Sequence, residues 1–223
     1  MKNKLLTGLV GLFAAILIIT FSIGLPIYFR PFYYWQIDLL EIEEYSGADR
    51  ETIVEAYNEL LDYLTVPGNE FKTGEFKYSE EGKSHFVDCK GLFDLNAGAF
   101  IVSLVALITL IILNKVGVYE LWRPFKKSIL FSTGVYTLGG FAVIGGLAAM
   151  DFDKAFEIFH KIFFPGKDNW MFSWYEDQII RILPQDFFMN CAILILVSII
   201  TLCVGCICFG LIEGYRKRLE SEF

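Results

Sequence analysis

Four apolar stretches constrain this chain more than anything else in its sequence: Leu5 to Ile27, about Ala97 to Val116, Ser128 to Met150, and about Asn190 to Ile212. Each is long enough to cross the hydrocarbon core of a bilayer as a helix, which takes about 20 mostly apolar residues. A helix is the form such a segment must take, because lipid offers no partner to a backbone amide and every one must be paired within the segment. The chain is 55% hydrophobic with a mean hydropathy of +0.49, too apolar for a soluble core in 223 residues. The expected fold is therefore an all-α membrane protein of four transmembrane helices, residues 1–223 forming one membrane domain with long loops at 28–96 and 151–189. The first stretch follows Lys2 and Lys4 as a secretory signal would. It is longer than a typical signal core and lacks a small-x-small cleavage site, so it reads as a retained helix.

Lysine and arginine in the short flanks set the expected orientation. Lys2, Lys4, Lys115, Arg123, Lys126, Lys127, Arg216, Lys217 and Arg218 share one side with only Glu120, Glu213, Glu220 and Glu222. That side is expected to be cytoplasmic, with both termini there and both long loops outside. The remaining acids, 26 − 4 = 22, fall in the long loops, so the net charge of -7 originates outside. An acidic exterior excludes nucleic acid as a natural partner. Of five cysteines, only Cys89 and Cys191 lie near the outer loops, so no disulfide framework is indicated. Cys203, Cys206 and Cys208 lie within an apolar helix and read as small packing residues. So do Gly134, Gly139, Gly140, Gly145, Gly146, Ala148 and Ala149, a small-residue surface for close helix approach.

The first long loop has the pattern of a folded segment. Ile53, Ala56, Tyr57, Leu60 and Leu64 recur at helical spacing behind Asp49, an N-cap residue, and Pro67-Gly68 marks the end. Residues 71–78 read as a short hairpin or an irregular turn, and a further helix is expected from Ser79 through His85 and Asp88 toward the second span. In the second loop Phe152, Phe156, Phe159 and Phe163 form one aromatic face, with Asp153, Lys154, Glu157, His160 and Lys161 opposite. Such an amphipathic helix suits the membrane interface. Ser173 and Glu176 have capping-box spacing ahead of a second short helix ending at Pro184. Tyr28, Tyr33, Tyr34, Trp35, Trp170, Trp174 and Tyr175 are placed as an aromatic belt at the outer interface.

Chemistry is sparse. No acid, lysine or arginine lies in the interior of a span, which disfavours transport and proton relay. Nucleophile-elbow, phosphate-loop and zinc-protease motifs are absent. What remains is the only two histidines, His85 and His160, both in the outer segments. Asp88 follows His85 by three and Glu157 precedes His160 by three, so on a helix each carboxylate could fix an imidazole tautomer. A pair of plain surface histidines, a metal site built on both with Asp88, and an acid–base pair all remain open. The metal reading has no recognised ligand spacing behind it.

The run Ser84-His85-Phe86-Val87-Asp88-Cys89-Lys90 ahead of the second span resembles a known bacterial family. So does the run from Asp151 through Phe156-Glu157-Ile158-Phe159-His160-Lys161 to Phe164, with Asn169-Trp170 and Ile182-Leu183-Pro184 after it. That family is the lipoprotein intramolecular transacylases, Lit, four-span enzymes of the Gram-positive cell membrane. The resemblance covers essentially the whole chain. It implies an acyltransferase that moves the sn-2 acyl chain of a diacylglyceryl-modified cysteine to the same cysteine's α-amino group, giving an N-acyl lyso-form lipoprotein. The implied partners are such lipoproteins and membrane lipid, the implied catalytic residues are His85 and His160, and no cofactor or metal is required. His85, oriented by Asp88, is the expected general base and His160 the oxyanion stabiliser or acid, with the roles exchangeable. Cys89, adjacent in sequence, is expected to point elsewhere and not to act as nucleophile. The other class of function open to the sequence is a tetraspan adaptor or chaperone that binds a partner through its acidic outer loop.

Overall fold

A computed structural model describes residues 2–123 and 128–219. Four helices carry the apolar stretches: α1 (Lys4–Tyr28), α5 (Glu80–Lys115), α6 (Ile129–Met150) and α8 (Gln185–Leu219), all long and apolar enough to cross a membrane. Between α1 and α5 lie α2 (Pro31–Leu39), α3 (Ile42–Ser46) and α4 (Arg50–Thr65), and α7 (Phe152–Phe163) follows α6. The all-α reading holds, apart from a parallel pairing of Lys2–Asn3 with Glu120–Leu121. Lys126, Lys127, Glu220 and Glu222, used above for orientation, lie outside the described residues. So do the side chains of Lys2, Lys217 and Arg218.

The described residues form two compact units, one of 1–23, 97–147 and 195–223, the other of 24–96 and 148–194. In the first, Ile18, Ile199 and Cys203 make a small buried core with Leu138, Phe141 and Cys206 around it. The Ser22 hydroxyl donates to the Ile18 carbonyl at 2.8 Å and meets Ser198 Oγ at 2.9 Å, a polar tie inside the bundle. Helix α6 approaches α8 at Gly134, where a Cβ would stand 2.7 Å from the Cys203 carbonyl oxygen. Gly145 abuts Leu196, but Gly139, Gly140 and Gly146 face open space, so the close-packing surface is narrower than the run of small residues suggests.

The second unit holds both long loops and a larger core of Tyr33, Ile37, Ile42, Ile53, Tyr57, Leu60, Phe86, Ile179, Ile182 and Phe187 among others. Helix α4 forms as its pattern predicts: Asp49 caps it by accepting from the Thr52 amide at 2.9 Å, and Ile53, Ala56, Tyr57, Leu60 and Leu64 are buried. Tyr33 departs from the belt reading. Its ring is fully buried, stacked on Tyr57 with centroids 3.6 Å apart, and its hydroxyl donates to the Ile182 carbonyl at 2.7 Å. Burial of both faces of a phenol needs such a partner for the hydroxyl, which a belt residue finds in water. Residues 71–79 are an irregular turn without strand. The expected helix after Ser173 is reduced to a 3₁₀ turn at Gln178–Ile182. There Asp177 Oδ2 accepts from the Ser173 backbone N–H at 3.0 Å and the Ser173 carbonyl accepts from the Asp177 amide at 2.8 Å.

Candidate active site

Helix α5 begins where Ser79 Oγ accepts from the Gly82 amide at 2.9 Å. Asp177, 3% exposed, accepts from the Ser79 amide at 2.8 Å and the Ser79 hydroxyl at 2.7 Å, fastening that helix end to the 173–177 segment. Glycine is required at 82 for this closeness, since a Cβ there would lie 2.3 Å from Asp177 Oδ1. Asp177 is not legible as a site residue in the sequence, where it stands as one more polar residue between Glu176 and Gln178.

His85 and His160 arrive from different elements, and both are buried, 5% and 6% exposed. Their ring centroids are 5.6 Å apart and tilted by 32°. His85 lies on α5 among Phe164 at 4.9 Å, Phe172 at 5.5 Å and Phe86 at 6.2 Å between centroids. His160, in the last turn of α7, sits 4.4 Å from Phe156 and stacks on Trp170 at 4.5 Å and 27°. The sequence reading put His160 on the polar face of α7. It lies instead on the inner side, beside Phe156, while Ile158, Phe159, Ile162 and Phe163 form the exposed apolar stripe.

Neither carboxylate sits where i±3 spacing suggested. Glu157 is on the exposed side, joined to Lys161 one turn on, and does not reach His160. His160 Nδ1 lies 2.7 Å from the Phe156 carbonyl oxygen, so Nδ1 carries the proton it donates and Nε2 holds the free lone pair. Asp88 bonds across to the loop after α7: Oδ1 accepts from Lys167 Nζ at 2.5 Å and Oδ2 from Asn169 Nδ2 at 3.1 Å. Lys167 is positioned by a turn through Gly166, whose φ of +73° favours glycine. Trp170 is held by its indole N–H donating to the Lys167 carbonyl. In the sequence the Asn169-Trp170 pair belongs only to a motif; its contact with the histidines depends on a chain reversal that local pattern does not encode.

Burial, with repulsion from His160 second, pushes the His85 imidazole down to about 4; Asp88 and Asn169 oppose this. Burial lowers His160 as well, opposed by its bond to the Phe156 carbonyl. For Asp88 desolvation works upward, but the bonds from Lys167 and Asn169 outweigh it and hold the carboxyl below its ordinary value. The site thus carries neutral imidazoles beside an ionised Asp88. Cys89 is not turned away as expected. One helical turn beyond His85, it places Sγ 3.4 Å from Nε2. Desolvation, with Asp88 adding to it, raises its thiol to about 12, so it is no ready thiolate. Among the described residues no three His, Cys, Asp or Glu side chains cluster as a metal site.

Four helices of membrane-spanning length and a buried, aromatic-walled histidine pair define a polytopic membrane protein. The family model of the lipoprotein intramolecular transacylase Lit matches residues 8–188, and the chain belongs to that family. It is an acyltransferase of lipoproteins and a multi-pass membrane protein. The in meso structure of Lit from Bacillus cereus matches with a TM-score of 0.86 at 25% identity, over 97% of each chain. Structures of that protein with an H85R mutation and with an H85A mutation each match with a TM-score of 0.80 at 24% identity. They cover 97% of this chain and 94% and 95% of theirs, and at that identity speak to the fold alone. No curated protein sequence matches significantly.

Proposed function

We propose that the chain transfers the sn-2 acyl group of a diacylglyceryl-modified N-terminal cysteine to the α-amino group of that cysteine, with His85 and His160 as the catalytic pair. The carrying observation is that the only two histidines, 75 positions apart (160 − 85), are buried side by side with ring centroids 5.6 Å apart. Ester and amine belong to one substrate molecule, so the site's work is orientation, worth roughly 7–11 kcal/mol in well-aligned cases. As the amine nitrogen forms its bond to the ester carbonyl carbon, His85 Nε2 takes the amine proton. That proton passes to the His160 Nε2 lone pair, and the carbon–oxygen bond to glycerol breaks as His160 gives it to the departing oxygen. One proton leaves nitrogen and the same proton arrives at oxygen, so both imidazoles end neutral, as they began. Mutual repulsion favours one proton on the pair at a time. The Phe156 carbonyl and the Trp170 face stabilise His160 while it carries the proton. The exposed apolar stripe of α7 suits entry from the outer leaflet, with both termini cytoplasmic, as the cation bias supports.

The test is mass spectrometry of the N-terminal peptide of a co-expressed lipoprotein. An unchanged total acyl count, with one chain moved from glycerol to nitrogen, is the expected product. A lipoprotein left diacylated on glycerol with a free amine would return the chain to the adaptor reading.

A further inference from the structure

We propose that Asn169 is the positioning residue of His85: its amide, held by Asp88 and Ser84, offers Oδ1 to the imidazole Nδ1–H and so fixes the tautomer whose Nε2 lone pair, beside the Cys89 thiol, takes a proton. The inference deepens the proposed function and rests on His85 being the base. Among the described residues three buried side-chain polar atoms lack a partner, and two of them are His85 Nδ1 and Asn169 Oδ1. One can carry a proton and the other can only accept. A hydrogen bond between them satisfies both, and buried polar groups are rarely left otherwise.

The way the amide faces follows from its other end. An ionised carboxylate only accepts, so Asp88 Oδ2, at 3.1 Å, must meet the NH₂ end of Asn169, which also points at Ser84 Oγ at 3.4 Å. The reversed amide would press two oxygens together and turn NH₂ toward the ring. Lys167 Nζ takes Asp88 Oδ1, leaving Oδ2 for the amide. The titratable and charged groups acting on His85 are His160 from α7, Asp88 and Cys89 from its own helix, and Lys167 from the loop. The carboxylate thus reaches His85 through a neutral amide. A direct Asp–His bond would raise the ring's basicity and hold the proton; the amide fixes the tautomer without trapping it.

Because the chain has only two histidines, protein labelled with ¹⁵N-histidine gives two ring spin systems, and nitrogen–hydrogen correlation spectra report each tautomer without substrate. At neutral pH both rings should carry the proton on Nδ1. In Asn169→Ala, His85 should shift to a mixture rich in Nε2–H while His160, held by Phe156, keeps its signals, and turnover should fall by up to about 10², the lower end of a general base's contribution. Nε2–H on His85 in the wild type, or an unchanged tautomer in Asn169→Ala, would overturn the assignment. If the His160 signals move as well, the loop has shifted and Asn169→Asp decides. That carboxylate must restore Nδ1–H with a raised His85 pKa, and failure to do so refutes the proposal. A wild type that acylates no lipoprotein would defeat the catalytic reading while leaving the tautomer assignment intact.

Discussion

Replacing Asp177 with alanine should unfasten the histidine-bearing unit before it touches any reacting group. The carboxylate is 3% exposed and accepts three hydrogen bonds, from the Ser79 amide, the Ser79 hydroxyl and the Ser173 amide. Bonds to a charged group contribute about 1.5–3 kcal/mol each, and orphaned buried amides cost about 1–3 kcal/mol apiece. These terms overlap, so about 3–5 kcal/mol is expected, at the upper end for a single substitution. For a chain of this size that is a fall in Tm of roughly 6–20 °C. Asp177→Asn should lie between, because its oxygen serves Ser79 while its NH₂ confronts the Ser173 N–H. The assay is thermal unfolding in detergent followed by a thiol-reactive dye. Cys208 lies on a membrane-spanning helix and gives a constant background, whereas Cys89 and Cys191 in the histidine-bearing unit label as that unit opens. An Asp177→Ala midpoint within about 2 °C of the wild type, less than 1 kcal/mol is expected to shift it, would refute the reasoning.

His85→Ala and His160→Ala should each remain folded and membrane-inserted while losing about 10² or more of lyso-form product, measured by mass spectrometry at equal expression; Cys89→Ala should be nearly silent. Burial holds His85 at about 4 against its ordinary 6.5, so the unfolded chain binds that proton more readily. Stability should be full above pH 6.5 and the His85 share of it fall as pH drops toward 4 by about 3 kcal/mol, a slope that His85→Ala reduces to the part due to His160 in thermal melts across that window. Activity should survive strong chelation; loss restored by zinc would reinstate a metal site. A reporter at Gly68 should read as external and one at Gly117 as cytoplasmic, and the opposite pattern would invert the orientation.

Much of this architecture is written in periodicities that need only neighbours along the chain. The four spans, the capped α4 and the aromatic α7 are of that kind, since run length, Asp49 and a four-three-four phenylalanine spacing act locally. The histidines were visible because they are only two. Their partners were not, because the i±3 rule describes an isolated helix, and here Lys161 claimed Glu157 while the loop after α7 claimed Asp88. Tyr33 was misplaced for the same reason: a tyrosine beside a span looks like a belt residue until Tyr57 covers its ring. Asp177 and Asn169 act across some 80 to 100 residues of chain, a distance at which single-sequence pattern is silent.

The stripe of Ile158, Phe159, Ile162 and Phe163 shares one short helix with His160. A helix of this kind settles at a depth fixed by its own apolar width, so it works as a float that sets the height of an imidazole against the waterline of the bilayer. In the proposed reaction the ester hangs from lipid chains that have a depth of their own. Headgroup packing and leaflet tension therefore become variables of turnover, and a micelle, with no plane to float on, preserves the protein while blurring the one coordinate along which substrate and histidine must agree.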